Sequence, residues 1–288
     1  MTERDRALAI IWFAYAVAIA AGALTLWIVP GDPLWRALVA DIVATVVIWL
    51  FSRAYRNSSF YDAYWSVIPP LLGFYWWWAA GSAADPRAGI VLALVCFWAV
   101  RLTYNWAHHW TGLQHEDWRY PMVRDRHPRM ALFTDFFGIH FFPTIQVFLG
   151  CLPLYAAVSL GGGPLNWLDA LAIVVTLGAV FIEMIADIQL RGFLKTAQPG
   201  EVIRSGLWGW SRHPNYFGEI SFWVGLMLFG LAAYPEGWWW LIIGAIAMTV
   251  MFATVSIPMM EKRSLERRPA YAEVMRDVPM LIPRPPRR

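Results

Sequence analysis

Long apolar runs are the feature of this sequence that most limits its fold. Eight such runs follow one another between residues 7 and 258, and a helix of about 20 apolar residues crosses the hydrocarbon core of a bilayer. The sequence therefore predicts an all-α fold, a polytopic membrane bundle of seven to eight transmembrane helices. The predicted segments are residues 7–29, 35–52, 61–80, 88–107, 133–158, 166–187, 216–233 and 238–258.

Composition supports a membrane protein and excludes several other classes. Hydrophobic residues make up 59% of the chain and charged residues 15%, against roughly a quarter charged in soluble domains. The 19 tryptophans fit the two membrane interfaces. Cys96 and Cys151 lie in apolar runs without CxxC spacing, so we expect inert thiols and neither a zinc site nor a disulfide. Nothing in the composition points to a nucleic-acid partner, whereas membrane lipid is an expected one.

The basic residues predict how the helices are oriented. Of the 23 Lys and Arg residues, 20 precede the first segment or follow the second, fourth, sixth or eighth. The positive-inside rule then places both termini in the cytoplasm, and the first apolar run is a retained helix because no cleavage site follows it. We divide the chain into an N-terminal helix pair, residues 1–54, and a larger membrane domain, residues 55–288.

Charged residues within or beside these segments are functional candidates, because charge in lipid is costly. Glu183, Asp187 and Arg191 share one face of the sixth segment, and Lys195 continues it. An internal ladder of ion pairs is the alternative interpretation. In the run WGWSRHPNYFGEISFW, Arg212, His213, Asn215 and Glu219 surround the start of the seventh segment. A helix N-terminus with a nearby cation favours an anion such as phosphate, and a buried capping network is the alternative there.

Two polar stretches lie near the third and fourth segments. Asp62 is flanked by Tyr61 and Tyr64, and a phenol beside a carboxyl group is a plausible acid–base pair; an aromatic belt with a solvated aspartate is the alternative. The stretch HEDWRY forms a dense polar group without the spacing of a metal site, and a solvated loop is the alternative for it. Asp41 and Arg101 are charges inside predicted helices, and a pair between them is one interpretation.

Longer motifs resemble a known family. The stretches DIQLRGFLK, PGEVIRSGLWGWSRHPNY, SRHPNYFGEISFWVG, IPMMEKRSLERRPAYAEVMRDVPMLIPR and RLTYNWAHHWTGLQHEDWRY are similar to the steroid 5-alpha-reductase family, in particular its bacterial membrane branch, over about residues 55–285. RHPNYFGE alone also resembles segments of sterol reductases and isoprenylcysteine carboxyl methyltransferases. The resemblance implies a bacterial inner-membrane enzyme that binds NADPH from the cytosol and reduces a carbon–carbon double bond of a lipophilic enone.

The resemblance also implies which residues contact the cofactor, and their chemistry suits it. A 2′-phosphate needs several cations and a nicotinamide amide needs donors and acceptors, whereas the GxGxxG fingerprint of a Rossmann site is missing. No metal is expected. The implied cofactor contacts are Asp187, Arg191, Arg204, Asn215 and Glu219, with Lys195, Arg212, His213, Tyr216, Glu261 and Arg119 as further candidates.

The catalytic group departs from the family pattern. The family carries a Gln-Glu pair in the helix that corresponds to the third segment, where this chain has Tyr61, Asp62 and Tyr64. These three are our catalytic candidates, and the substrate is an unspecified lipid-soluble enone, steroid-like or isoprenoid. A membrane methyltransferase that uses S-adenosylmethionine is the alternative function, and a non-catalytic transporter or lipid-binding protein is a third. The spread of cations at positions 191, 195, 204 and 212 favours NADPH.

Overall fold

The computed structural model describes residues 1–82, 85–161 and 163–285, and the described part is helical without strands, as predicted. Seven of its helices are long and apolar enough to cross a membrane. The predicted segment 61–80 corresponds to α3, which has 16 residues and contains Pro69 and Pro70. The helices are α1 Glu3–Ile28, α2 Pro33–Tyr55, α3 Tyr64–Ala79, α4 Pro86–His109, α5 Arg119–Asp125, α6 Pro128–Leu160, α7 Trp167–Leu194, α8 Pro214–Ala233, α9 Pro235–Arg267 and α10 Tyr271–Asp277.

The chain forms two compact units. Met1–Gly161 contains α1 to α6, and Gly162–Arg288 contains α7 to α10. The domain boundary predicted after residue 54 falls inside the first unit, at the end of α2. The predicted catalytic residues therefore belong to the first unit, and all the predicted cofactor contacts except Arg119 belong to the second.

Small residues and polar caps explain how neighbouring helices form and pack. Side chains of Asp32, Asp85 and Asn166 accept hydrogen bonds from backbone N–H groups where α2, α4 and α7 begin, which satisfies donors that a helix leaves unpaired. In the second unit α7 and α8 approach closely at Gly218, where a Cβ would lie only 2.8 Å from the Ala179 carbonyl oxygen. Such small residues let helices pack in a membrane.

Candidate functional site

A short 3-10 helix positions the predicted catalytic residues of the first unit. The backbone leaves α2 through Arg56 with φ of 53°, and the side chain of Asn57 caps the 3-10 helix Ser58–Tyr61. Asp62 follows directly, before α3 begins. Ser58 and Ser59 are buried, so this turn is an internal part of the unit.

The cytosolic loop predicted between the fourth and fifth segments packs on this turn. We call residues 110–126 the cover segment. Its contacts with the turn are long-range hydrogen bonds of 2.5–3.1 Å, so it is a structured layer over residues 57–62. They join Asn57 Nδ2 to the carbonyls of Leu113 and His115, Ser58 N to Glu116 Oε1, Asp117 N to Ser59 Oγ, and the Tyr120 hydroxyl to Asp62 Oδ1.

An ion-pair network fastens the cover segment. Arg124 donates to Glu116 Oε2 at 2.5 Å and to Asp135 Oδ1 at 3.0 Å, and Asp135 is fully buried. The Glu116 carboxylate, with Asp135 acting in the same sense, raises the pKa of the Arg124 guanidinium. Ser58 and Trp49 also donate to Asp135, which lies where α6 widens into a π-helical stretch. Such stretches are frequent at functional sites.

Asp62 and Tyr120 form the pair with the clearest acid–base character. The Tyr120 hydroxyl donates to Asp62 Oδ1 at 2.5 Å. Burial raises the pKa of Asp62 from 3.8 to about 6, although the bond from Tyr120 counteracts part of the rise. Burial and the nearby Asp62 charge also raise the pKa of Tyr120. Near neutral pH, Asp62 can therefore gain or lose a proton while Tyr120 keeps its own.

A cavity of about 360 Å³ adjoins Asp62. Three tryptophans and a leucine form its apolar wall, and the other six lining residues are polar, so a ligand with both an apolar body and polar groups suits it. Neither Tyr61 nor Tyr64 belongs to its lining. The lining residues are Asp62, Trp65, Ser66, Leu102, Asn105, Trp106, His109, Trp110, His115 and Asp117.

Tyr61 and Tyr64 lie on the inner side of the turn. Thr144 Oγ1 donates to the His140 carbonyl and so accepts from the Tyr61 hydroxyl, 2.8 Å away. The Tyr64 hydroxyl is buried next to Asp41 and Thr45, although no described residue meets it at ordinary hydrogen-bond geometry. Asp62 therefore pairs with a tyrosine 58 residues along the chain rather than with its two neighbours. Tyr120 belongs to the HEDWRY stretch, whose polarity was the only signal for it in the sequence.

Asp41 is a second buried carboxyl group of the first unit. It is 4% exposed, and its polar neighbour is the Tyr64 hydroxyl, although the two do not meet at ordinary hydrogen-bond geometry. It forms no ion pair with Arg101, so the interpretation of these two as a pair is not supported by the geometry. A carboxyl group in such surroundings is costly to bury.

In the second unit, the start of α8 is held by residues from the C-terminal part of the chain. Arg212 Nε donates to Glu261 Oε1 at 2.6 Å, and its Nη1 donates to the carbonyls of Met275 and Val278 at 2.7 and 2.8 Å. His213 Nε2 lies 3.2 Å from the same Glu261 oxygen. We call Arg212, His213 and Glu261 the Arg212 cluster. It joins the ends of α8, α9 and α10.

Three further predicted contacts lie along the first turns of α8. The Tyr216 ring stacks on His213 with 5.4 Å between ring centroids. Asn215 Oδ1 accepts from the Tyr216 backbone N–H. Glu219 is 5% exposed and accepts from Trp223 Nε1 at 2.8 Å, so it lies inside the unit.

The remaining predicted contacts are more scattered. Asp187 and Arg191 are half-buried on α7, and Lys195 is exposed just beyond its end. Arg204 is exposed and pairs with Glu273 at 2.9 Å and with Asp277 of α10 at 3.5 Å. Arg119 is in the first unit, bound to Asp117 of the cover segment at 2.8 Å. Of the predicted contacts, the structure thus joins Arg212, His213, Tyr216 and Glu261 directly.

Comparisons with known proteins cover both regions. An uncharacterized protein of Schizosaccharomyces pombe is 27% identical over 281 residues, which span 88% of this chain and 80% of that protein. No solved structure matches. The model of a family described as "Protein of unknown function (DUF1295)" matches residues 48–278, a range that includes the Asp62 cavity and the Arg212 cluster. The chain therefore belongs to the DUF1295 family.

Proposed function

We propose that the protein is an integral-membrane reductase that uses NADPH to saturate a carbon–carbon double bond conjugated to a carbonyl group in a lipophilic substrate. The observation that carries the proposal is the Asp62–Tyr120 hydrogen bond beside a cavity whose apolar wall is formed by three tryptophans and a leucine. This reduction needs a group that can take up and give back a proton near neutral pH. Asp62, with its pKa of about 6, is protonated in a fraction of the molecules there and can exchange its proton.

The cavity residues divide the work as follows. The three tryptophans and Leu102 offer a surface on which an apolar ring can pack. Asp62 delivers the proton that completes the reduction, and the Tyr120 hydroxyl keeps its carboxyl group in one orientation. Tyr120 thus takes the place beside Asp62 that we predicted for Tyr61 or Tyr64 from the sequence.

The second unit would hold the cofactor, and NADPH would supply the hydride. The residues of the second unit supply some of the groups that a dinucleotide requires. Asn215 and Glu219 offer the acceptors and donors that a carboxamide requires, and Arg191 and Lys195 place cations along the end of α7. Arg204 and Arg212 carry carboxylate partners. The partners of Arg204 lie on the exposed surface, where a phosphate can replace them at low cost.

Ligand-dependent melting separates the candidate functions. The full-length protein is heated in detergent with NADPH, NADH or S-adenosylmethionine. A ligand at about 100 times its Kd adds about 2.7 kcal/mol of stability, and we expect this with NADPH. Stabilisation by S-adenosylmethionine alone would instead establish the methyltransferase. Glu219→Gln, which keeps an acceptor for Trp223, should lose the NADPH effect, whereas Glu266→Gln, on the exposed surface of α9, should keep it.

Measurements of turnover test whether Asp62 is the acid. With β-ionone as a lipophilic enone, NADPH oxidation is followed by its absorbance. Asp62→Asn should reduce the rate by about 100-fold or more while the melting shift with NADPH persists. Asp125→Asn changes an exposed carboxylate of the cover segment and should leave the rate unchanged. An unchanged rate of NADPH oxidation for Asp62→Asn would show that Asp62 is not the acid.

A further inference from the structure

The segment after α10 is bound to the residues that lead into α8. Residues 279–284, which we call the C-terminal strap, run alongside residues 210–212 in the opposite direction. Three hydrogen bonds of 2.8–3.0 Å join the two segments, so the strap is a fixed part of the second unit. They run from Arg212 N to the Pro279 carbonyl, from Ser211 Oγ to the Leu281 carbonyl and from Arg284 N to the Trp210 carbonyl.

The strap lies at the end of a helix that can cross a membrane. α8 begins at Pro214, two residues beyond Arg212, and its 20 residues are apolar enough to span the bilayer. At about 1.5 Å per residue, such a helix is about 30 Å long, which is the thickness of the hydrocarbon core. The start of α8 therefore lies at one edge of that core, and the strap lies beside it in the headgroup layer.

The exposed side chains of the strap are apolar and basic. Met280 and Ile282 are 37% and 62% exposed, and Arg284 is exposed as well. Trp210, to which Arg284 is hydrogen-bonded through the backbone, is 44% exposed. Apolar and aromatic side chains beside a basic one are typical of surfaces that lie in the interface between lipid and water.

Arg284 differs from an arginine that binds a helix end of its own protein. Arg4 of α1 donates from Nε to the Trp110 carbonyl at 2.9 Å and from Nη2 to the Ala107 carbonyl at 2.5 Å, where α4 ends. The Arg284 guanidinium forms no ion pair with a carboxylate of the residues that the structure describes. An anion from outside the chain can therefore bind it without displacing a described carboxylate.

We propose that the C-terminal strap binds the phosphate group of an anionic phospholipid in the surrounding bilayer. The phosphate lies in the headgroup layer, and a guanidinium binds phosphate oxygens bidentately. Met280 and Ile282 then pack on the acyl chains below it. The sequence continues with Arg287 and Arg288, and each added cation strengthens attraction to an anionic membrane surface. The site goes beyond the proposed reduction, because it needs neither the Asp62 cavity nor a nucleotide.

Lipid retention by the full-length protein tests the proposal. The protein in detergent is mixed with phosphatidylglycerol or with zwitterionic phosphatidylcholine of the same acyl chains, and the bound lipids are counted by native mass spectrometry. Arg284→Gln should weaken phosphatidylglycerol binding about fivefold and leave phosphatidylcholine binding unchanged. Arg276→Gln is the matched control and should keep both, since Arg276 is paired with Asp277. No loss in Arg284→Gln, the same loss for both lipids, or an equal loss in the control would overturn the proposal.

A second measurement locates the strap without changing Arg284. Ile282→Cys is labelled with a nitroxide in a Cys96→Ser background, where the remaining Cys151 is fully buried. In bilayers that contain phosphatidylglycerol, the label should collide more often with oxygen, which concentrates in lipid, than with a water-soluble nickel complex. The same label in Arg276→Cys should show the reverse, because water is expected around an exposed charged position. Equal access of nickel to both labels would place the strap in water and overturn the proposal.

Discussion

The Asp62 cavity and the Arg212 cluster both gather polar side chains beside apolar helices, yet they satisfy those side chains differently. In the cluster, Glu261 receives donors from Arg212 and His213, and Arg212 also binds two backbone carbonyls. Around the cavity, Trp106 and Trp110 bury donors that have no partner within the described ranges. A satisfied group contributes to folding, whereas an unsatisfied one reduces stability and is retained where it has another use. By this criterion, we propose the cavity as the ligand site, whereas the cluster mainly holds helix ends together.

The largest expected effect is the loss of stability when the Arg212 cluster is broken. Arg212→Ala leaves Glu261 without its guanidinium partner and two carbonyls without a donor, and breaking a buried pair costs about 3–5 kcal/mol. Thermal unfolding in detergent measures the loss. Arg276→Ala removes a guanidinium that is 75% exposed and should change stability by less than about 0.5 kcal/mol. A similarly small loss for Arg212→Ala would show that the Arg212 cluster contributes little to folding. Arg212 would then be better explained as a cation that binds a nucleotide.

A smaller loss of stability is expected when the ion pairs that hold the cover segment are removed. Arg124→Ala leaves Asp135 with its Ser58 and Trp49 donors but without a cation, and Arg124 is 20% exposed, so we expect about 2 kcal/mol. Hydrogen exchange should rise in residues 110–126 before it rises in α1 and α2. Arg126→Ala, at an exposed position, provides the control. Unchanged exchange in Arg124→Ala would show that the other hydrogen bonds hold the segment alone.

Asp41 gives an effect of opposite sign. Replacement of this buried carboxyl group by an apolar side chain of similar size, in Asp41→Val, removes a polar group that is costly to bury and should raise the free energy of unfolding by about 1 kcal/mol. On the same helix, Asp32→Ala removes a cap and should lower it by about 1 kcal/mol. Melting of the two variants side by side sharpens the comparison, because only a poorly satisfied group is expected to stabilise when replaced. A destabilised Asp41→Val would indicate that the contact with the Tyr64 hydroxyl stabilises the fold.

The smallest effect is a dependence on pH. The pKa of Asp62 is about 6 in the folded state and 3.8 ordinarily, so the folded state binds the proton more tightly. The stability that this tighter proton binding adds is fully present below about pH 4. It decreases as the pH rises towards about 6, and above that pH it no longer changes. Asp62→Asn lacks this slope and should exceed the unaltered protein in stability by on the order of 1 kcal/mol above pH 6. Parallel melting curves from pH 4 to 8 would contradict the raised pKa.

Hydropathy was sufficient to predict that all eight segments are helical, because an apolar segment in lipid satisfies its backbone hydrogen bonds as a helix. It also identified Asp62 and the residues around Arg212 as unusual. Hydropathy did not predict the partners of these residues. Tyr120 is 58 residues from Asp62, and Glu261 is 49 residues from Arg212. Such pairings depend on how helices pack, which the pattern of a single segment does not encode.

The contact of Arg4 with the end of α4 has a practical consequence. The family model begins at residue 48, yet one wall of the cavity is secured from the fourth residue of the chain. Thr2 and Asp5 cap the helix that carries this arginine. Expression that starts beyond this helix would therefore remove a contact that secures a cavity wall more than a hundred residues away along the chain.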